Sequence, residues 1–293
     1  MGSSIRSQYS CTHRACEAFV STVQLPSGAT IWYRRRGRGV PLLHIHGSAF
    51  GHRNFEKLTP IMAEHAEVID FDLPGFGDSR SEALPPGMPA IAELIHEFVT
   101  SLGLSRISVH GTSFGAMLAV NLAAQHPEII DKLVLSCFLA RYDLAARLMR
   151  ATWKRAARDS GMTAVADLTS VAGFGRGFYD RPDAAEQLAE MRIAFSKTRI
   201  EAFISGTETI EKTDLSPLLN SISAPTLLLA GLEDNMTPFN PAPSGVGFST
   251  IQDRLPNCEL KVLPDCGHYL VLEQPARAAA LIAEFLSRQP IPS

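Results

Sequence analysis

The chain has 293 residues, 45% of them hydrophobic, and a formal net charge of −3. That is enough apolar material for one large α/β domain or a domain with an insertion, and the charge balance supplies no basic field for nucleic acid. No stretch approaches the length of a membrane span, Met1 to Cys16 lacks the apolar core of a secretory signal, and Cys11, Cys16, Cys137, Cys258 and Cys266 show neither metal-ligand spacing nor a disulfide framework, so the expectation is a cytoplasmic protein with reduced thiols.

In chain order, apolar runs predict strands at Ala18 to Leu25, Thr30 to Arg35, Pro41 to Ile45, Val68 to Phe71, Ile107 to His110, Lys132 to Cys137, Thr226 to Ala230 and Glu259 to Leu263. Segments of helical spacing lie between them, as in Ile91, Leu94, Ile95, Phe98 and Val99. This alternation predicts an α/β protein with a mostly parallel eight-stranded sheet and helices on both faces. The first two runs, joined by Pro26-Ser27-Gly28, read as an antiparallel hairpin at one edge.

The alternation stops between Phe138 and Asn220, where helical segments follow one another. The expected division is therefore a core of residues 1–137 and 221–293 with an inserted helical cap at 138–220. The first cap helix, around Asp143 to Asp159, is expected to bury Leu144, Leu148, Met149 and Trp153 and to leave Arg147, Arg150, Lys154, Arg155 and Arg158 on its other sides. Gly173 to Tyr179 reads as a flexible aromatic patch.

The most informative stretch is Gly111-Thr112-Ser113-Phe114-Gly115, between a strand-like run and the small-residue helical run Ala116 to Gln125. A serine at the tip of a strand-to-helix turn takes up unusual torsions, and the strand and helix can cross there only if Gly111 and Gly115 stay small. The pattern predicts a nucleophile elbow with Ser113 as nucleophile. Serine needs a base and the base needs an orienting group. His268, in the loop Pro264-Asp265-Cys266-Gly267-His268 after the eighth run, is the expected base. Asp234, at the end of the seventh, is the expected acid, with Glu233 and Asp265 as substitutes. All three lie beyond the carboxyl ends of strands, where open α/β sheets hold ligands. The Phe114 amide and the amide of Ser48, in His46-Gly47-Ser48-Ala49-Phe50-Gly51, are the expected oxyanion donors.

These landmarks, with Asp72-Leu-Pro-Gly-Phe-Gly-Asp-Ser79 and Gly231-Leu-Glu-Asp234, resemble those of the α/β-hydrolase superfamily, serine-nucleophile branch with a helical cap, in the same order. The resemblance implies the α/β-hydrolase fold, cofactor-free and metal-free hydrolysis, and Ser113, Asp234 and His268 as triad. Ser113 excludes the aspartate-ester chemistry of dehalogenases and epoxide hydrolases. After His46 the extended glycine motif of many lipases is missing, and Ser48-Ala49-Phe50-Gly51 departs from the Gly-Pro-Gly loop usual in hydrolases of meta-cleavage products. The expected activity is a serine hydrolase acting on a small ester, thioester or lactone, or on a C–C bond next to a ketone. A slow-turnover ligand receptor of the same fold and an acyltransferase are the alternatives. Phe50, Arg141, Arg147, Trp153 and Phe239 are the candidate substrate-binding residues, and the Phe239 to Phe248 segment is read either as part of the entrance or as a solvent loop. The expected partner is a small molecule, with neither nucleic acid nor membrane; monomer and homodimer both remain open.

Overall fold

A computed structural model describes residues 18–80 and 83–288; Cys11, Cys16 and the Met1 to Cys16 segment lie outside it. In chain order the strands and helices are β1 (Phe19–Gln24), β2 (Thr30–Arg36), β3 (Pro41–Ile45), α1 (Thr59–Met62), β4 (Glu67–Phe71), α2 (Met88–Ser101), β5 (Ile107–Thr112), α3 (Phe114–Gln125), β6 (Ile130–Ser136), α4 (Leu144–Gly173), α5 (Ala184–Ser196), α6 (Ile200–Lys212), β7 (Thr226–Gly231), α7 (Phe248–Arg254), β8 (Cys258–Leu263), α8 (Leu270–Glu273) and α9 (Pro275–Ser287). The eight strands form one sheet in the order β1-β2-β4-β3-β5-β6-β7-β8. The β1/β2 and β2/β4 pairs are antiparallel and every other pair is parallel, so the expected edge hairpin is present.

β5 and β7 are buried along their whole length, as strands covered on both faces must be. One face packs against α2 and α3 through Phe98, Met117 and Leu118, the other against α9 through Ala278 and Ile282. Three helices, α4, α5 and α6, stand between β6 and β7, with a third apolar cluster joining Trp153, Phe195 and Phe203 to Phe50, Met236 and Tyr269 from the sheet's loops.

α4 starts at Asp143, whose carboxylate accepts the Ala146 amide at 2.8 Å, and it kinks at Gly161 (φ 80°). Its buried face departs from expectation. Leu144 and Leu148 are 68% and 61% exposed, and the residues turned inward are Ala146, Arg150, Trp153 and Ala157. Small alanines let the helix approach closely, and the Arg150 guanidinium carbon sits over the rings of Tyr142 (4.6 Å) and Trp153 (5.5 Å) while the group donates to the Tyr142 hydroxyl. The Gly173 to Tyr179 segment is anchored where flexibility was expected. Phe174 and Phe178 are buried and stacked at 3.7 Å, and the Gly175 and Arg176 amides donate to Glu273 and Glu233.

Candidate active site

The site is built at the carboxyl ends of β3, β5, β7 and β8. Ser113 connects β5 directly to α3 with φ 55° and ψ −115°, a torsion pair that only a constrained turn imposes on a non-glycine residue. The crossing is tight: a Cβ on Gly111 would collide with the Gly115 carbonyl, and one on Gly115 with the Ile45 carbonyl. Ser113 itself is 5% exposed. Its amide donates to Ser136 in β6, and the Phe114 amide at the helix start has no intrahelical acceptor to use.

His268 sits in the loop after β8, its amide bonded to the Gly173 carbonyl at 2.5 Å. Its Nδ1 faces Asp234 Oδ2 at 2.9 Å; a carboxylate can only accept there, so Nδ1 carries a proton and, in the neutral ring, Nε2 is the nitrogen with the lone pair. Asp234 also accepts the Met236 and Thr237 amides at 2.8 Å each and the Thr237 hydroxyl at 2.6 Å. Burial pushes the Asp234 carboxyl up, but His268 and the Thr237 donors outweigh it and hold the group below its usual range, hence ionised. Of the substitute acids, Glu233 is engaged with the Arg176 amide and Asp265 points to solvent.

Ser113 and His268 line one chamber of about 400 Å³, counting the space open to solvent. No hydrogen bond joins the two side chains among the described residues. Ser48, Phe50 and Trp153 line the chamber, together with Asn54, Thr169, Phe195, Phe203, Met236 and Tyr269, which sequence reasoning did not single out. Of these only Tyr269, next to His268, had a local signal. No Asp, Glu, Lys or Arg belongs to the lining.

The loop bearing Ser48 is fixed by its flanks. The His46 Nε2 accepts the Leu73 amide (3.0 Å) and its Nδ1–H donates to the Gly47 carbonyl (2.7 Å), while Asn54 Oδ1 accepts the Gly47 amide (2.9 Å). Burial holds the His46 imidazole below its usual range, which suits this neutral tautomer. Asp72 is structural here, its two oxygens taken by His52 and the Asp78 amide.

Three expected binding residues lie elsewhere. Arg141 donates to the Ser244 carbonyl and pairs with Asp214, Arg147 is exposed and donates to the Tyr142 carbonyl, and Phe239 packs on the main core. The reason is local pairing: the Phe239 to Phe248 segment is tied to residues 140–143, with Ala242 donating to Asp143 and Val246 to the Arg141 carbonyl. It buttresses the start of α4 rather than lining the chamber.

Among the described residues, three groups bring metal-type donor atoms within 4.8 Å of one another: Glu93, His96 and His126 at the surface, His52, Asp72 and Asp78, and Cys137, Asp234 and His268. The last is the hydrogen-bonded Asp234–His268 pair with a buried thiol beside it. Burial pushes the Cys137 and Cys266 thiols up, away from thiolate chemistry.

A sequence profile described as the alpha/beta hydrolase fold matches residues 40–275. The chain belongs to the α/β-hydrolase family. This hydrolase is 29% identical over 259 residues to pimeloyl-[acyl-carrier protein] methyl ester esterase of Nitrosomonas europaea, covering 84% of this chain and 96% of that one. It is 27% identical over 296 residues to 2-hydroxy-6-oxononadienedioate/2-hydroxy-6-oxononatrienedioate hydrolase of Burkholderia vietnamiensis, covering 94% and 98%. Its fold matches the enol-lactonase of Burkholderia xenovorans with a TM-score of 0.81 at 22% identity, over 92% of this chain and 100% of that one. No helix among the described residues is long and apolar enough to cross a membrane.

Proposed function

We propose that this hydrolase cleaves small uncharged esters or lactones through an acyl-enzyme on Ser113. The observation that carries the reading is the meeting, in one chamber without ionised lining residues, of an elbow serine and a histidine whose far nitrogen is held by Asp234. Ser113 Oγ attacks the carbonyl carbon while His268 Nε2 takes its proton. Asp234 keeps the ring in the productive tautomer and stabilises the imidazolium that forms. The Phe114 and Ser48 amides receive the oxyanion, each worth roughly 10²- to 10³-fold in turnover. His268 then protonates the leaving alcohol and activates water to release the acid. Helices α4, α5 and α6 serve as the cap, with Trp153, Phe195 and Phe203 shielding the reacting atoms from bulk water.

The lining favours neutral substrates over the dicarboxylate named for the Burkholderia vietnamiensis relative, because burying a carboxylate without a cationic partner costs several kcal/mol or more (roughly). The test is a panel of neutral aryl esters, simple lactones and anionic vinylogous diketones. Turnover of the neutral ester or lactone, with none of the diketone, is expected; the reverse selectivity would overturn the assignment.

A further inference from the structure

Phe50 stands between two cavities. Besides the reaction chamber, it lines a second cleft of about 710 Å³, counting open space, between α5 and residues 50–57. Its ring meets Phe195 edge-on at 4.8 Å and Tyr269 at 5.3 Å, both of them walls of the reaction chamber. Phe174, Met191, Ala194 and Leu272 give the second cleft an apolar floor, while Arg53, Glu56, Lys57 and Glu190 make up its charged rim. Of the two linings, Phe50 is the one shared residue. The loop that carries it is pinned from the helical side, where Thr198 Oγ1 donates to the Ala49 carbonyl at 2.7 Å.

We propose that this cleft is a second substrate compartment, which holds the alkyl chain of an ester whose carbonyl lies at Ser113, with Phe50 as the movable partition. The inference rests on the ester-hydrolase reading above and extends it from small substrates to chained ones. A chain running past Phe50 leaves the uncharged reaction chamber and meets further apolar wall, so it stays desolvated along its length. A polar end group then reaches water beside Arg53 and Glu190. Rotation of the Phe50 ring is the movement that joins the compartments in this proposal; its contacts to Phe195 and Tyr269 are ring-to-ring packing rather than hydrogen bonds.

The test compares kcat/KM for p-nitrophenyl decanoate and p-nitrophenyl acetate in the wild-type protein and in Phe50→Ala, Ile193→Arg and Leu272→Trp, with thermal melts to confirm folding. Ile193 is 54% exposed and lines the second cleft but not the reaction chamber, so a charge there is tolerated by the fold. Opening the partition should raise the decanoate-to-acetate ratio about tenfold, and charging or filling the cleft should lower it about tenfold, the scale on which apolar pockets discriminate chain length. An unchanged ratio in all three folded variants would overturn the compartment. Fluorophosphonate labelling of Ser113 in the same samples separates the two readings. Labelling with an unchanged ratio removes only the compartment, whereas absence of labelling removes the ester chemistry and the compartment with it.

Discussion

Glu273 and Gly175, 98 positions apart, are joined by a 2.9 Å hydrogen bond from the Gly175 amide to Oε2, and the other oxygen of the same carboxylate accepts the Gly267 amide at 2.9 Å. One buried side chain therefore ties the segment after α4 to the loop that presents His268.

That carboxylate should make stability depend on pH. Burial pushes it up from 4.5 to about 7, against the opposing pull of the Gly175 and Gly267 amides. Because the folded state binds the proton more tightly than the unfolded chain, the Glu273 contribution to stability is largest below 4.5, falls as pH rises through the window up to about 7, and levels off above it. The expected cost is a few kcal/mol (roughly). Urea unfolding at a series of pH values should show this slope in the wild-type protein and a flatter one in Glu273→Gln. Parallel curves would refute the assignment.

Asp70 should act in the opposite sense. Burial would raise its carboxyl, but His44 at 2.8 Å and Arg34 at 2.7 Å hold it down at about 2, with Thr59 donating as well. Its contribution is present above the ordinary value of 3.8 and is lost as pH falls toward 2. Asp70→Asn removes one member of a buried charged network and should cost about 3–5 kcal/mol near neutrality, measured by denaturant unfolding.

Gly115→Ala tests the elbow's packing. The added methyl meets the Ile45 carbonyl in a strand that cannot retreat, so a loss of at least about 1–3 kcal/mol is expected. Gly177→Ala, where nothing lies within 4 Å, should stay within about 0.5 kcal/mol of wild type. Equal melting temperatures for the two variants would contradict the close crossing of β3 and α3.

Thr237 was invisible in the sequence and is the residue whose hydroxyl lies 2.6 Å from Asp234 Oδ2 and 3.1 Å from His268 Nδ1. Thr237→Val should lower kcat about tenfold or more, the worth of a hydrogen bond to a charged group, with little change in KM. Asp234→Asn should lower kcat about 10⁴-fold through the wrong imidazole tautomer. Steady-state kinetics on one aryl ester decides both; a pure KM effect would mean that neither residue acts through His268.

What the sequence disclosed was whatever local chemistry dictates. Glycines at 111 and 115 are demanded by a crossing that tolerates no side chain, and the apolar runs of β5 and β7 are demanded by burial on both faces, so the elbow and the sheet could be read directly. The positions of Asp234 and His268 in the loops after β7 and β8 were legible because each follows an apolar strand run. The parts that stayed hidden depend on partners distant in the chain. Arg150 is buried only because Tyr142 and Trp153 offer it aromatic faces, and Leu144 and Leu148 stay exposed because α4 turns its alanines inward. Asn54 and Phe203 reach the chamber from elements whose approach no periodicity announces. Arg141 and Phe239 were misjudged because residues near a site in sequence were drawn off by Ser244, Asp214 and the main core.

The most direct measurement is fluorophosphonate labelling with mass mapping, run alongside ester turnover for the wild-type protein, Ser113→Ala and His268→Ala. Modification confined to Ser113, with turnover lowered by about 10⁴-fold or more in both variants, is the predicted result. A label on another residue, or a Ser113→Ala protein that still turns over the ester at the wild-type rate, would contradict the account.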